Sequence, residues 1–198
     1  MTSRRSESEA ADERLFLALV PPAKLAASLH AQAAERLDAI RSDLRSSPAA
    51  KLHVTLRFYG EVAAAVADEL EQDLRVQLRA SHAPRLTLTS TGTFGGEHPR
   101  VLWLGVDDDS GNLSELARLA ERSAMSVGLD PETRAFRPHL TLARTRKARS
   151  DRPLALPEEF RTWCPNVRWQ PDRAVLVRTQ PTAAGMTYEE RASFPLLG

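Results

Sequence analysis

The chain has 198 residues, with 27 lysines and arginines against 26 aspartates and glutamates and a formal net charge of +1. This balance gives no overall field toward a membrane surface or a long nucleic acid, so any phosphate recognition has to be local. The length allows a buried core, and the single cysteine, Cys164, excludes an intramolecular disulfide. With no export signal and no apolar run long enough to cross a membrane, we expect a cytoplasmic protein in a reducing compartment.

The chain alternates predicted strands and helices after a polar stretch, residues 1–12, that predicts a disordered tail. Helices are indicated by apolar residues every three or four positions, and strands by short apolar or alternating runs. The predicted elements are a strand at 14–20, a helix from 21 to about 45, a strand closed by Gly60, a helix at 62–78, a strand at 85–91, a glycine-rich loop at 92–99, a strand at 100–106, a helix at 113–127, a strand around His139, a connection at 145–157, a strand at 174–178, a turn at 181–185 and a strand at 186–194. This order favours an α+β architecture.

Two segments, one in each half of the chain, share a histidine followed by threonine at the second position and leucine at the third. They centre on His53 and Thr55 in the first half and on His139 and Thr141 in the second. Side chains alternate between the two faces of a strand, so each histidine shares a face with its threonine, and the apolar neighbours share the other face. Each strand should therefore bury its apolar face and present an imidazole beside a hydroxyl.

Two imidazoles that face each other suit in-line displacement at a phosphodiester. One can accept a proton from the attacking oxygen while the other donates a proton to the leaving oxygen, and both titrate near neutral pH. The hydroxyls of Thr55 and Thr141 can donate hydrogen bonds to the phosphoryl oxygens, where negative charge accumulates. The residues do not tell which histidine is the acid and which is the base.

Metal and nucleotide cofactors fit the sequence less well. Zinc sites need several His, Cys or carboxylate ligands at close spacing, whereas the chain has neither a His-x-x-x-His pattern nor a second cysteine. The glycines of residues 92–99 are not followed by the Lys-Ser/Thr of a phosphate-binding loop. We therefore expect no cofactor and no metal. His30 and His82 are expected at the surface, and for His98 a position near the mouth of the site stays open as an alternative.

A basic stretch surrounds the second motif. Residues 134–152 contain seven lysines and arginines against one acid, where an anionic substrate would need them. For the residues beyond Arg146, a solvated loop is an equally good interpretation. Arg144 lies closest in sequence to the His139 and Thr141 pair and is a candidate phosphate ligand. Strict alternation would turn Arg144 to the opposite face, so this role requires the strand to bend or end after Ala143.

Four stretches of the chain resemble one known family. They are Arg14-Leu15-Phe16-Leu17-Ala18-Leu19, Leu52-His53-Val54-Thr55-Leu56-Arg57-Phe58-Tyr59-Gly60-Glu61-Val62, Pro99-Arg100-Val101-Leu102-Trp103-Leu104-Gly105 and Phe136-Arg137-Pro138-His139-Leu140-Thr141-Leu142-Ala143-Arg144. These motifs resemble the two-histidine phosphoesterases, and within them the RNA 2',3'-cyclic phosphodiesterase family, also called 2'-5' RNA ligase. The resemblance covers nearly all of the chain after the tail.

The resemblance implies an α+β fold of two antiparallel sheets with flanking helices, related by pseudo-twofold symmetry, whose His-Thr strands face each other across a cleft. We expect residues 13–198 to form this single bilobal domain, as a monomer. The resemblance also implies metal-independent opening of 2',3'-cyclic phosphate ends of RNA to a 2'-phosphate, with reversible 2'-5' ligation in some members. The implied catalytic residues are His53 and His139, and the implied phosphate ligands are Thr55, Thr141 and Arg144.

Other functions stay open at the level of the sequence. The same fold could act on 2'-5' linked oligonucleotides or on small cyclic phosphates, or it could bind RNA ends without catalysis. The aromatic residue that often precedes the first motif is replaced by Pro48-Ala49-Ala50, and residues 179–187 match the family loosely. These departures leave the residues that contact the base unassigned.

Overall fold

The structure is a computed structural model that describes residues 12–39, 44–95, 100–145, 158–183 and 185–198. Within these ranges the strands are β1 (Glu13–Leu19), β2 (Leu44–Ser46), β3 (Val54–Val62), β4 (Leu86–Phe94), β5 (Val101–Asp108), β6 (His139–Thr145), β7 (Val167–Trp169), β8 (Arg173–Thr182) and β9 (Gly185–Pro195). The helices are α1 (Ala23–Ala39), α2 (Ala64–Leu78), α3 (Asn112–Ser126) and the short α4 (Glu158–Arg161). The predicted tail lies outside the described residues except for Asp12.

The strands form a single antiparallel sheet in the order β7-β4-β5-β6-β3-β1-β8-β9, with β2 paired to β6. The α+β class and the antiparallel pairing are confirmed. The two predicted sheets are joined into one, because Val54 of β3 pairs with Leu140 of β6 and connects the two halves. Each half contains a strand-helix-strand unit that ends in a histidine strand, namely β1-α1-β3 and β5-α3-β6. The pseudo-twofold symmetry of the halves stays a prediction.

One face of the sheet carries the main core. Leucines of alternating strand positions, such as Leu15 and Leu17, are fully buried there against leucines of the helices, such as Leu70 and Leu74. The opposite face, called the open face below, carries a smaller cluster of Phe16, Ala18, Val175 and Val177 with Phe58 packed against it. Among the described residues, no helix is long and apolar enough to cross a membrane.

The first predicted helix is shorter than its apolar stripe suggested. It ends at Ala39, and Leu44 belongs to β2, which pairs with β6 through Leu44 with Thr145 and Ser46 with Ala143. The prediction that the helix continues to about Arg45 is therefore wrong. Leu44 matches the helical spacing but is buried by strand pairing, a tertiary contact that sequence periodicity does not reveal.

Gly60 does not close its strand as predicted. Its φ of 79° lies in the left-handed region that favours glycine, and β3 continues to Val62. The register of β3 against β1 shifts beside Gly60, which marks an irregularity where an extra residue is accommodated. Val62, predicted to begin the second helix, instead pairs with Glu13.

The loop predicted at residues 92–99 begins later than expected. Strand β4 runs to Phe94, and Gly92 pairs with Trp103 of β5. The indole of Trp103 lies over Gly92 so closely that a β-carbon there would sit 2.2 Å from the ring, which explains the glycine. Residues 96–99 and most of the predicted connection at 145–157 lie outside the described residues. The short elements β7 and α4 were not predicted.

Candidate active site

The bridge between β3 and β6 brings the two histidine motifs side by side. Because the strands are antiparallel and Val54 pairs with Leu140, His53 stands beside Thr141 and His139 stands beside Thr55. Val54 and Leu140 themselves are fully buried toward the core. The imidazoles and hydroxyls therefore share the open face, as the alternation predicted, and each histidine neighbours the threonine of the other motif.

Both imidazoles are held by the same local hydrogen bond. The Nδ1 of His53 lies 2.8 Å from the carbonyl oxygen of Lys51, and the Nδ1 of His139 lies 2.7 Å from that of Arg137. A carbonyl oxygen only accepts hydrogen bonds, so each Nδ1 donates and carries a hydrogen. This fixes the tautomer of each ring and makes the unprotonated Nε2 the atom that can exchange a proton with a substrate.

The two imidazoles differ in their readiness to hold a proton. The pKa of His53 is lowered from 6.5 to about 4, mainly by burial and also by the charges of Arg144 and His139, against an opposing effect of the Lys51 carbonyl. Burial and the Arg144 charge also lower the pKa of His139, against the effect of its Arg137 carbonyl. At neutral pH the unliganded His53 is therefore a neutral proton acceptor.

Arg144 reaches the open face because β6 contains a bulge. Trp103 pairs with Thr141 and Leu102 with Ala143, so Leu142 is an extra residue on β6. Leu142 and Ala143 are consecutive yet both buried, and Arg144 emerges exposed on the side of the histidines. Its charge lowers the pKa of both imidazoles. Strand β6 therefore has the irregularity that the proposed position of Arg144 beside the histidines requires.

Strand β3 contains a matching bulge at the same distance from its histidine. Ala18 pairs with Thr55 and Leu17 with Arg57, so Leu56 is the extra residue. The position that corresponds to Arg144 is therefore Phe58, which packs on the open face with the guanidinium of Arg14 5.0 Å from its ring. Each motif thus places a histidine and a threonine on the open face, but only the second motif also places an arginine there.

Aromatic side chains surround both histidines, and the sequence analysis did not assign them to the site. The ring of His53 lies 4.7 Å from that of Phe16 and 5.5 Å from that of Tyr188. The ring of His139 lies 4.8 Å from that of Phe94 and 6.2 Å from that of Trp103. These contacts hold each imidazole against an apolar wall and account for its burial.

A small pocket of about 130 Å³ opens beside His53. Its lining residues are Phe16, Val20, Ala50, Lys51, Leu52, His53, Val175, Val177, Tyr188, Glu189 and Glu190. Lys51 crosses its edge, with its ammonium 5.6 Å from the Tyr188 ring and a hydrogen bond donated to the carbonyl of Met186. The residues that line the pocket come from distant parts of the chain, so no local sequence pattern predicts it.

Arg57, the arginine of the first motif, points away from the site into the core face. It forms an ion pair of 2.5 Å with Glu121 and donates hydrogen bonds to the backbone oxygens of Phe58 at 2.8 Å and Asp130 at 2.6 Å. Glu121 in turn accepts a hydrogen bond from the backbone nitrogen of Glu132 at 2.9 Å. Arg57 therefore ties the first histidine strand to the segment that leads into the second.

The remaining predicted features lie elsewhere. His30 contacts the Ser47 carbonyl through its Nδ1 at 2.9 Å and is only partly exposed, whereas His82 is exposed as expected. His98 and the basic residues 146–152 lie outside the described part of the chain. Arg134, from the basic stretch, pairs with Glu132 at 2.9 Å. No group of three or more His, Cys, Asp or Glu that could hold a metal occurs among the described residues.

Comparison with known proteins gives consistent matches. The sequence profile of the 2'-5' RNA ligase superfamily matches residues 21–183. A protein of Aeropyrum pernix named RNA 2',3'-cyclic phosphodiesterase is 40% identical over 99 residues, which are 50% of this chain and 55% of that protein. One of the same name from Geobacillus stearothermophilus is 33% identical over 148 residues, 74% of this chain and 46% of that protein. The chain thus spans about half the length of these two relatives.

The fold agrees with this match. A crystal structure of a Thermus thermophilus protein superposes with a TM-score of 0.77 at 26% identity, covering 93% of this chain and 98% of that one. Both histidine strands, with Arg144, lie inside the range that the superfamily profile matches. The chain belongs to the 2'-5' RNA ligase superfamily.

Proposed function

We propose that the protein hydrolyses 2',3'-cyclic phosphate ends of RNA to 2'-phosphates, without a metal, through acid-base catalysis by His53 and His139. The observation that supports this most directly is the pair of imidazoles on one face, each fixed through Nδ1 so that Nε2 is the atom that can exchange a proton. The names of the curated relatives point to the same reaction. Catalysis by two such groups needs only proton transfer and charge stabilisation around one phosphate.

The proposed step begins with a water molecule in line with the bond between phosphorus and O3'. The Nε2 of His53 accepts a proton from the water, whose oxygen forms a bond to phosphorus. The bond from phosphorus to O3' breaks, and the Nε2 of His139 donates its proton to O3'. The products are a 2'-phosphate and a free 3'-hydroxyl, and the two histidines return to their starting protonation through solvent.

The burial of the two rings supports this division of roles. His53 has a pKa of about 4 and is neutral at working pH, as a base must be. His139 lies closer to solvent, and the negative charge of a bound phosphodiester raises its proton affinity, as an acid requires. When His139 is protonated, its positive charge and the burial of the His53 ring both disfavour protonation of His53.

Thr55, Thr141 and Arg144 are proposed to hold the phosphoryl oxygens. The two hydroxyls flank the histidines. The guanidinium of Arg144 lies near enough to lower the pKa of both imidazoles. Negative charge grows on these oxygens as the pentacoordinate transition state forms, so donors placed around them lower the barrier. A guanidinium can also contact two phosphate oxygens at once.

The same groups could use a different nucleophile. If the 5'-hydroxyl of a second RNA replaced the water, the identical proton transfers would form a 2'-5' linkage, and the reverse step would cleave that linkage to a cyclic phosphate. Reversible ligation is therefore proposed as a second activity of the same site. We also propose that the protein acts as a cytoplasmic monomer, because one chain supplies both histidine strands; size-exclusion chromatography checks the oligomeric state.

Substrate comparison tests the proposal. Turnover should be measured for an RNA with a 2',3'-cyclic end, for a mononucleotide 2',3'-cyclic phosphate and for a 2'-5' linked dinucleotide, with the position of the product phosphate determined. We expect the cyclic-ended RNA to be opened to a 2'-phosphate. Preferred cleavage of the 2'-5' dinucleotide would favour the alternative substrate, and RNA binding without any turnover would favour a binding protein.

A further inference from the structure

A second and larger cavity lies at the β7 edge of the sheet, two strands beyond β5. It has a volume of about 320 Å³ and is formed by the ends of β4 and β7 and the turn after β5. Its lining residues are Arg85, Leu86, Thr87, Asp109, Arg168, Trp169 and Gln170. We call it the edge cavity, because β7 is the last strand of the sheet.

The register places the edge cavity on the same face as the histidines. Thr87 of β4 pairs with Arg168 of β7, whereas the neighbouring pair, Leu86 with Trp169, is buried in the core. Thr87 and Arg168 therefore lie on the open face. Arg85 precedes Leu86 and is exposed, so it follows the same alternation.

Small residues line the open face between the histidines and the edge cavity, and we call this stretch of surface the passage. Gly105 of β5 pairs with His139, and a β-carbon there would lie 2.7 Å from the hydroxyl of Thr89 on β4. Within the described ranges, Gly105 and Thr89 are small residues that lie between His139 and the edge. The indole of Trp103 lies over Gly92 and comes within 3.6 Å of the position of a β-carbon on Gly105, so it borders this passage on one side. Beyond the glycine and the threonine, the passage opens toward Thr87 and Arg168.

The passage has the length of a short piece of RNA. From β6 to β7 there are three strand spacings, roughly 14 Å in total. This length corresponds to about four stacked nucleotides, or to fewer in an extended strand. A chain whose cyclic end lies at His53 and His139 can therefore place a phosphate at the edge cavity.

The charges of the cavity suit a phosphodiester backbone. Arg85 and Arg168 are exposed, and within the described ranges neither forms an ion pair with an acid. A guanidinium binds phosphate oxygens in a forked geometry. Asp107 and Asp109, on the neighbouring strand β5 and the turn after it, reduce the net positive charge, but their carboxylates can accept hydrogen bonds from ribose 2'-hydroxyls.

We propose that the edge cavity binds the backbone of the substrate RNA a few nucleotides before its cyclic end. This inference rests on the proposed function and narrows its substrate class to single-stranded oligoribonucleotides rather than free cyclic mononucleotides. The edge cavity carries no catalytic group, so its effect is on binding and not on the chemical step.

The test compares substrates of different length in matched variants. The catalytic efficiency kcat/KM is measured for a 2',3'-cyclic mononucleotide and for cyclic-ended oligoribonucleotides of two, four and six nucleotides. The double variant Arg85→Gln/Arg168→Gln is compared with Arg79→Gln/Arg118→Gln, called the helix variant, which removes two exposed arginines, one directly after α2 and one in α3. The readout is the ratio of hexamer to mononucleotide efficiency, in which the fraction of folded enzyme cancels.

We expect the wild-type ratio to fall by about tenfold in the edge-cavity variant and to be retained in the helix variant. The dependence of hexamer binding on salt should weaken by about 1.4 in its logarithmic slope, because two contacts to single-stranded RNA are lost. Equal efficiency on all lengths in the wild type, or an equal loss of ratio in both variants, would overturn the inference. The proposed function predicts turnover of the substrate at every length, including the mononucleotide. If the mononucleotide is turned over but length has no effect, only the inference about the edge cavity fails. If no substrate is turned over, the proposed function fails.

Discussion

At the scale of single residues, the burial of His53 links the site to the stability of the fold. The pKa of this imidazole falls from 6.5 to about 4, mainly because the folded protein removes it from water. Phe16 and Tyr188 provide part of that burial. The neutral His53 is available to accept a proton, but the folded protein resists a protonation that the unfolded chain accepts.

Stability should therefore depend on pH through His53. Between about pH 6.5 and pH 4 the unfolded chain binds a proton that the folded protein does not, so stability falls as the pH falls through this window. The full effect is about 3 kcal/mol at the acid end. His53→Asn keeps a donor for the Lys51 carbonyl but does not titrate. Urea unfolding at several pH values should show a smaller acid loss in this variant, and equal losses would contradict the account.

The threonines should matter less than the histidines. Thr55→Ala or Thr141→Ala removes one donor to the phosphoryl oxygens and should lower kcat by about 10²-fold. Thr55→Ser and Thr141→Ser keep the hydroxyl and serve as controls that should retain most activity. Steady-state kinetics on a cyclic-ended RNA measures both. Alanine variants as active as the serine variants would remove the threonines from the mechanism.

At the scale of secondary-structure elements, two bulges decide which side chains reach the site. Each histidine strand takes up an extra leucine, Leu56 in β3 and Leu142 in β6. The bulge in β6 turns Arg144 onto the open face, and the bulge in β3 turns Phe58 there while Arg57 is buried. Two similar sequences thus place different residues beside their histidines.

Removal of the Arg144 charge should be visible at both histidines. Its cation lowers the pKa of His53 and of His139, so Arg144→Gln should raise both pKa values, whereas Arg144→Lys should keep them low. NMR titration of the imidazole protons measures this directly. The glutamine variant should also bind substrate more weakly. Unchanged titration curves would place Arg144 away from the imidazoles.

The buried guanidinium of Arg57 should contribute strongly to stability. Arg57→Met leaves Glu121 without its partner and frees the backbone oxygen of Asp130, which should lower the free energy of unfolding by about 3 kcal/mol. Arg134→Gln, which breaks an exposed pair, is the matched control and should cost less than about 1 kcal/mol. Chemical denaturation checks both. Similar losses in the two variants would argue against a special role for the buried pair.

At the scale of the whole molecule, the two halves of the sheet meet at one residue pair, Val54 with Leu140. Strand β2 adds a second connection, because it leaves helix α1 of the first half and pairs with β6 of the second. Arg57 adds a third on the core face. These links, together with the packing of α3 on β3 and on α2, hold His53 and His139 in their relative position.

The sequence predicted the parts of the fold and site that follow from local periodicity. The histidine strands, with one wet and one buried face, and the three long helices were predicted because alternation and apolar stripes are local signals. Strand β2 was missed because three residues are too few to alternate. The bulge in β3, the partners of Arg57 and the contact of Tyr188 with His53 were missed because they depend on residues far apart in the chain, and the bend in β6 was named only as a condition for the role of Arg144.

The central claim, that two histidines catalyse the reaction without a metal, is tested most directly by turnover of a cyclic-ended RNA in excess EDTA. The wild type should form the 2'-phosphate at an undiminished rate. His53→Asn and His139→Asn should each lose about 10²- to 10⁴-fold in kcat, since each removes one proton transfer. Strict dependence on an added metal, or full activity of the double histidine variant, would contradict the claim.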